Sequence, residues 1–223
     1  WENAIVCDSR KTDTGFSFLV LKNDEYAVCN SHFAVFATGG IGRVYEFTTN
    51  SAIATGDGIT MAYNMGAEIK HLSYIQFHPT AFNNRHTREC FLISEAVRGE
   101  GAYLLNKDGK RYMQDYDERL ELAPRDVVSD AIVREAIATN SEKFYLDITH
   151  KGEEFIKKRF PGIYAGCLKQ GVDISKDLIP VFPCQHYLMG GIEVDLNART
   201  TLPRLYAAGE CSCTGVHGKN RLA

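Results

Sequence analysis

The chain of 223 residues carries a formal net charge of −3, and 44% of its residues are hydrophobic and 24% charged. This composition is ordinary for a folded globular protein. It provides neither the basic surface that nucleic acids require nor a strong acidic field. The longest apolar runs, such as residues 33–37, are far too short to cross a bilayer, so we expect no membrane segment. The N-terminus has no secretory pattern and begins with Trp1 rather than Met, which indicates a piece of a longer protein.

Cysteine and histidine spacing argues against a metal centre. The seven cysteines lie at irregular positions without a Cys-x-x-Cys pair, which disfavours zinc-ribbon, thioredoxin and iron–sulfur sites. His78, His186 and His217 also lack metal-ligand spacing. We therefore predict no metal, free thiols and a reducing, cytoplasmic location.

Residues 1–40 have the pattern of short β-strands separated by turns. The continuous apolar run 33–37 predicts a strand that is buried on both faces. It is followed by Thr38, Gly39 and Gly40, and glycines after a buried strand allow a ligand to approach the backbone closely. Residues 59–66 then predict a helix with an acidic start and a glycine stop, and residues 68–77 predict a strand that ends at His78.

The middle of the chain has a different character. It carries most of the charge, and it contains a predicted helix that opens at Pro124 and Arg125 and another over residues 153–159. Strands are predicted again over 191–194 and 204–208, the latter followed by Gly209 and Glu210. The fold class is therefore α/β to α+β: a partial nucleotide-binding domain over residues 1–80 and 185–223, interrupted by an inserted α+β domain over residues 81–184.

Three features suit a nucleotide, and two of them have a structural alternative. Gly40-x-Gly42 lacks the third glycine of a dinucleotide fingerprint, so a tight turn explains it equally well. Asp57 precedes a helix, where aspartate is commonly a cap. Glu210 at the carboxyl end of a predicted strand occupies the place where sheets of this class bind sugar hydroxyls.

Arg125 is the strongest candidate for chemistry. A cation at a helix N-terminus is unfavourable by about 0.3–1 kcal/mol, so an anion or a function should offset it. Its guanidinium presents a fork of donors that suits carboxylates. Together with His78, His186, Arg221 and a Ser94 hydroxyl, it would form a receptor for a small diacid. The structural alternatives are core histidines, a Ser94 cap, Glu95 at a helix N-terminus, and an ion pair between Arg98 and Glu100.

A set of short motifs occurs in a fixed order along the whole chain. They are Ala37-Thr38-Gly39-Gly40, Thr48-Thr49-Asn50, Ala54-Thr55-Gly56-Asp57-Gly58, Gln76-Phe77-His78-Pro79-Thr80, Arg98-Gly99-Glu100-Gly101, Arg125-Asp126, His186-Tyr187, Gly190-Gly191, Ala208-Gly209-Glu210 and His217-Gly218-Lys219-Asn220-Arg221. In this order they resemble the family of succinate dehydrogenase, fumarate reductase and L-aspartate oxidase flavoproteins.

The resemblance implies a role for each matching position. Arg125 is implied as the active-site proton donor or acceptor. The implied ligands of a small dicarboxylate substrate are His78, Ser94, Glu95, His186 and Arg221. The implied FAD-binding residues are Thr38, Gly39, Gly40, Asn50, Asp57 and Glu210. The inserted segment is implied as a capping domain that closes over the substrate.

Within that family, Ala123-Pro124-Arg125-Asp126, the segment 146–151 and the segment 160–164 look like the oxidase branch. That branch implies oxidation of L-aspartate to iminoaspartate, with electrons passed to oxygen or fumarate. The product would supply quinolinate and NAD synthesis, with quinolinate synthase as a pathway partner. A flavoprotein subunit of succinate dehydrogenase or fumarate reductase is the alternative, and an isolated piece without activity is the second. The resemblance leaves the oligomeric state open.

Three departures from the family pattern stand out. Ser94 replaces threonine but keeps the hydroxyl, and Lys219 replaces alanine and adds a charge beside Arg221. The family's glycine-rich βαβ unit is not among these residues, so we expect this chain alone to bind FAD weakly or not at all and to be inactive.

Overall fold

The computed structural model describes residues 1–84 and 86–221, and the chain divides into two compact units. The first unit comprises residues 1–44, 52–75 and 187–221, and the second comprises residues 45–51 and 76–186. Each unit has its own hydrophobic core. The assignment of residues 81–184 to a capping domain stays a prediction.

The first unit is built mainly from short β-strands. β1 (Ile5–Lys11), β2 (Phe16–Lys22) and β3 (Glu25–Ser31) form an antiparallel sheet. β4 (Ala34–Phe36) pairs in parallel with β11 (Leu205–Ala207). β10 (Gly191–Glu193) lies between β5 (Ile69–Lys70) and β12 (Ser212–Cys213). The parallel pairing of β4 and β11 brings segments that are far apart in sequence to one edge, where both strands end.

β4 differs from its prediction as a strand buried on both faces. Ala34 and Phe36 are buried, but Val35 is 66% exposed. Alternate side chains of a strand point to opposite faces, and among the described residues only the face of Ala34 and Phe36 belongs to the core of this unit. The prediction of burial on both faces is therefore wrong for this chain.

α1 (Asp57–Asn64) is the helix of the first unit, and it begins two residues earlier than predicted. Gly56 precedes it with φ 83°, and Gly66 follows it with φ 94°. Both angles lie in the left-handed region, which glycine adopts without a steric cost. The helix buries Ile59 and Ala62 against the core of the first unit.

The second unit contains a four-stranded sheet flanked by helices. The strands, in sheet order, are β6 (Ile75–Phe82), β9 (Ile179–Leu188), β8 (Phe144–Asp147) and β7 (Tyr103–Leu105). The helices are α2 (Glu95–Gly99), α3 (Arg125–Thr139), α4 (Glu153–Arg159) and α5 (Pro161–Leu168). Short 3-10 helices lie at Gly42–Val44, Met113–Asp115, Leu120–Leu122, Thr149–Lys151 and Gly209–Cys211.

The predicted strand over residues 68–77 is wrong in its bounds. β5 and β6 are separate strands, and a turn closed by a hydrogen bond from Tyr74 N to His71 O lies between them. His78, Pro79 and Thr80 lie inside β6 rather than after it. Proline has no amide hydrogen, so Pro79 donates no ladder hydrogen bond within β6.

α3 forms as predicted from its apolar stripe. Pro124 occupies the N-cap position, and Asn140 ends the helix with φ 46°. Asparagine tolerates this left-handed conformation better than most residues. Val128, Ala131 and Ile132 are buried in the core of the second unit. None of the helices in residues 1–84 and 86–221 is long and apolar enough to span a membrane.

Candidate active site

The predicted nucleotide-binding residues of the first unit lie where β4 ends. A Cβ atom at Gly40 would lie 2.3 Å from Oε1 of Glu210, and one at Gly58 would lie 2.1 Å from Oγ1 of Thr38. Only glycine allows these close approaches. Gly39 has φ 76°, and no atom lies within 4 Å of the position of its missing Cβ. The turn therefore exposes backbone that a ligand can approach.

Glu210 is a half-buried carboxylate beside this turn. Its Oε1 accepts a hydrogen bond from the backbone N–H of Leu188 at 2.8 Å. Burial raises the pKa of the Glu210 carboxyl, whereas the Leu188 N–H and the positive charge of Arg221 act in the opposite direction. Asp57 is the first residue of α1 and accepts a hydrogen bond from Thr55 Oγ1 at 2.8 Å. Asp57 is therefore not the N-cap of that helix, a position that Gly56 occupies.

Asn50 and Arg221 belong to different units. Asn50 lies in the second unit, where its Nδ2 donates to the backbone oxygen of His186 at 3.0 Å. Arg221 lies in the first unit, with its guanidinium carbon 4.2 Å from the ring centroid of Tyr187. Lys219 does not extend freely, because its Nζ lies 5.6 Å from the ring centroid of Tyr74. The predicted roles of Asn50 in FAD binding and of Arg221 in substrate binding stay predictions.

Arg125 is held at the N-terminus of α3 by two side chains. Its Nε donates to Oε2 of Glu95 at 2.7 Å, and its Nη1 donates to Oε1 of Gln76 at 2.8 Å. The guanidinium is almost fully buried. The carboxylate of Glu95 offsets the unfavourable interaction between a cation and the positive end of the helix dipole. The sequence argument thus anticipated an anion beside Arg125, although it missed Gln76.

Glu95 also links Arg125 to a second buried arginine. Arg98 is 1% exposed, and its Nη2 lies 3.5 Å from Oε1 of Glu95. Its Nη1 donates to the backbone oxygen of Glu121 at 2.5 Å. Burial lowers the pKa of Arg98, and the negative charge of Glu95 opposes that effect. The alternative pairing of Arg98 with Glu100 is not observed, because Glu100 pairs with Nε of Arg159 at 2.7 Å.

Ser94 caps α2 and so follows its structural alternative. Its Oγ accepts a hydrogen bond from the backbone N–H of Ala96 at 3.3 Å. A hydroxyl that accepts one hydrogen bond still has its own hydrogen to donate. Its predicted contact with a substrate therefore stays a prediction that is compatible with the cap.

His78 is fully buried and has a defined tautomer. The backbone N–H of Thr80 donates to Nδ1 of His78 at 3.2 Å, while the Thr80 hydroxyl donates to the oxygen of Ile93. Because Nδ1 accepts, the hydrogen of the neutral ring lies on Nε2. Among the described residues, that Nε2 has no hydrogen-bond partner. Burial and, to a smaller extent, the charges of His186, Arg125 and Arg98 together lower the pKa of His78 to about 2.

His186 lies next to His78. Their ring centroids are 5.1 Å apart, with the rings at 68° to each other. Nδ1 of His186 lies 2.6 Å from Oγ1 of Thr49. The sequence placed Thr49 within a motif but gave it no role. Its position at the ring of His186 depends on the pairing of residues 48–49 with residue 185, which no local pattern reveals.

The second unit thus collects Arg125, Glu95, His78 and His186 of the predicted site. Within residues 1–84 and 86–221, no group of three or more His, Cys, Asp or Glu side chains has the geometry of a metal site. The arrangement offers hydrogen-bond donors and positive charge rather than metal ligands. It is suited to a small anion such as a carboxylate.

The glycine turn beside a half-buried carboxylate, at the ends of parallel strands, is typical of a nucleotide-binding fold. The sequence profile of the family described as FAD binding domain matches residues 12–223, and the chain belongs to that family. The predicted fold class, α/β to α+β with part of an FAD-binding domain, is confirmed by this match and by the solved structures below.

Curated relatives confirm the predicted resemblance. The chain is 54% identical over 190 residues to an L-aspartate oxidase of Clostridium perfringens, which covers 85% of this chain and 42% of the relative. It is 43% identical to an L-aspartate oxidase of Streptomyces coelicolor, which covers 100% of this chain and 40% of the relative. The chain therefore spans less than half the length of these relatives.

Solved structures share the same fold. The quinol fumarate reductase FrdA of E. coli superposes with a TM-score of 0.89 at 37% identity, covering 98% of this chain and 40% of that chain. The open conformation of a flavocytochrome c3 fumarate reductase gives a TM-score of 0.67 at 25% identity, covering 98% of this chain and 48% of that chain.

The residues of the first unit fit FAD. Gly40 and Gly58 have no side chains, so they do not fill the space between the end of β4, α1 and the Glu210 carboxylate. The space beside the half-buried Gly39 suits a phosphate or sugar, and the second oxygen of Glu210 suits a ribose hydroxyl. The Thr38 hydroxyl adds a further polar group at the same turn.

Proposed function

We propose that the intact protein oxidises L-aspartate to iminoaspartate in an FAD-dependent reaction. The observation that carries this proposal is the charge of the second-unit cluster. Arg98 and Arg125 share the single carboxylate of Glu95, so these three groups carry one excess positive charge. A carboxylate ligand would balance that charge, and the unpartnered Nε2–H of His78 would donate to it.

Each residue of the cluster has a defined part in this proposal. FAD, when bound, supplies the acceptor for the hydride that leaves the substrate carbon. His78 donates a hydrogen bond through Nε2 and stays neutral at physiological pH, since its pKa is about 2. Arg125 binds a carboxylate and exchanges the proton that balances hydride transfer, and Glu95 orients it through the 2.7 Å hydrogen bond.

The choice of aspartate over succinate is supported by the similar proteins. The relatives that are 43% to 54% identical carry the name L-aspartate oxidase. The fumarate reductase FrdA is less similar in sequence, at 37%, but its high TM-score supports a succinate or fumarate enzyme as the second candidate. Both substrates are four-carbon diacids, which the same donors would bind.

Flavin reduction distinguishes the two candidates. The intact protein, loaded with FAD, is mixed under anaerobic conditions with L-aspartate and separately with succinate, and the flavin absorbance is followed. Reduction by aspartate alone supports the oxidase. Reduction by succinate alone assigns the protein to the dehydrogenase branch, and reduction by neither contradicts both candidates.

Further proposals concern the cellular setting. We propose that oxygen or fumarate takes the electrons and that quinolinate synthase consumes the product. A cytoplasmic location is supported by the seven cysteines, which form no disulfide within the described residues even where Cys90 and Cys184 share one core cluster. The 223-residue chain by itself should bind FAD weakly. Co-purification of stoichiometric flavin with this chain would contradict that expectation.

A further inference from the structure

The segment 48–50 is attached to the segment 185–186 by four hydrogen bonds, three of which do not involve the ring of His186. The backbone N–H of Thr49 donates to the oxygen of Gln185 at 2.9 Å. The amide of Asn50 donates to the oxygen of His186 at 3.0 Å. The hydroxyl of Thr48 donates to the side-chain oxygen of Gln185, and it also accepts a hydrogen bond from the backbone N–H of Asn50 at 3.0 Å, which stiffens the turn.

The fourth of these hydrogen bonds fixes the ring itself. Oγ1 of Thr49 lies 2.6 Å from Nδ1 of His186, which is a short distance for a hydroxyl and an imidazole nitrogen. A hydroxyl can donate or accept, so this contact sets which ring nitrogen carries the hydrogen. If Thr49 donates, the hydrogen of His186 lies on Nε2. If Thr49 accepts, it lies on Nδ1.

We propose that Thr49 is a positioning residue, whose hydroxyl donates to Nδ1 of His186 and thereby keeps the hydrogen on Nε2. His186 then has the same tautomer as His78, so the two neighbouring rings both present Nε2–H donors. The assignment of those donors to a diacid rests on the proposed function. The contact between Thr49 and His186 does not, whereas the direction of the hydrogen bond is argued from the anion that the proposed function places here.

An anionic ligand would favour this direction of the hydrogen bond. His186 lies 5.1 Å from His78, which is flanked by the positive charges of Arg125 and Arg98. A ligand of this cluster is expected to be an anion. An unprotonated Nε2 would turn its lone pair towards that anion, which is repulsive, whereas an Nε2–H donor is attractive.

The tautomer can be measured directly. The intact, FAD-loaded protein is prepared with 15N-labelled histidine, and long-range 1H–15N correlation spectra distinguish the protonated from the unprotonated ring nitrogen. The chain has seven histidines, so a His186→Gln variant assigns the relevant ring. We expect the proton of His186 on Nε2 in the wild type and in Thr49→Ser. We expect a mixture of tautomers in Thr49→Val.

Kinetics give the second readout. Thr49→Val should raise KM for L-aspartate by about fivefold to tenfold, the effect of one lost hydrogen bond, with kcat changed by less than about twofold. Thr49→Ser should restore KM. The matched control is Thr60→Val, which removes an exposed hydroxyl on α1 that only bonds to the backbone oxygen of Gly56.

Two results would overturn the proposal. One is a wild-type spectrum with the proton of His186 on Nδ1. The other is a Thr49→Val variant that keeps both the Nε2 proton and the wild-type KM. If Thr49→Val does not fold, the wild type and Thr49→Ser still decide the tautomer. If neither diacid reduces the flavin, the proposed function fails, while the spectra still test the role of Thr49.

Discussion

The buried imidazole of His78 should make the stability of the protein depend on pH. Burial is the main cause that lowers the pKa of His78 from 6.5 to about 2, and the charges of His186 and Arg125 add to it. In the unfolded chain the same ring binds a proton at its ordinary pKa. Between these two values the unfolded state holds one proton more than the folded state, so the free energy of unfolding decreases as the pH decreases.

The size of the effect follows from the proton balance of one group. Well below the unfolded pKa, the slope approaches about 1.4 kcal/mol per pH unit. From about pH 7 to about pH 5, the loss amounts to about 2 kcal/mol, because the unfolded ring changes from mostly neutral to almost fully protonated. A protein domain has a total stability of roughly 5–15 kcal/mol, so this loss is readily measured.

Urea unfolding of the wild type and of His78→Gln at several pH values tests this reasoning. Carboxylates also titrate in this range, so the readout is the difference in pH dependence between the two proteins rather than either curve. The variant should lose about 2 kcal/mol less than the wild type over the same interval. The control His86→Gln removes an exposed imidazole and should follow the wild type. Equal pH dependence of the wild type and His78→Gln would refute the argument.

Three other substitutions test separate parts of the structure. Arg125→Lys should lower kcat by about 100-fold, because an ammonium cannot keep the forked hydrogen bonds to Glu95 and Gln76; steady-state kinetics check this. Gly40→Ala should weaken FAD binding by about tenfold in flavin titrations, since its Cβ would displace the nearby Glu210 carboxylate. Ile132→Ala should destabilise the second unit by about 2–5 kcal/mol in urea unfolding, whereas the exposed Ile137→Ala should cost less than about 1 kcal/mol.

The sequence predicted elements well where local periodicity determined them. The apolar stripe of α3 and its opening at Pro124 and Arg125 are local signals, and the helix begins where the sequence predicted. The errors lie where tertiary pairing decides. Val35 is exposed because strand burial depends on what covers each face, which an apolar run does not encode. Pro79 lies within β6, although a proline is a local signal against a strand interior, because strand pairing is a property of the whole sheet.

The sequence predicted that Arg125 needs an anionic partner, but it did not predict which ion pairs form around it. The helix-dipole argument required an anion near Arg125, and Glu95 provides it. The same argument did not show that Glu95 would be shared with Arg98, three residues further along the short helix α2 and one turn away on the same face. Glu100, which is closer to Arg98 in sequence, instead meets Arg159 from a different helix.

The donors of the second unit exist only when distant segments have assembled. Thr49 and His186 are 137 positions apart, and Arg125 is 49 positions from Gln76. A motif search recognises each short segment but gives no information about which atoms meet. The tautomer of His78 is likewise set by a backbone amide within β6, so it requires the strand rather than the motif. The chemistry of this cluster therefore follows from the folded sheet. A substitution that loosens β6 or β9 should misplace the hydrogen-bond donors even when every motif residue is unchanged.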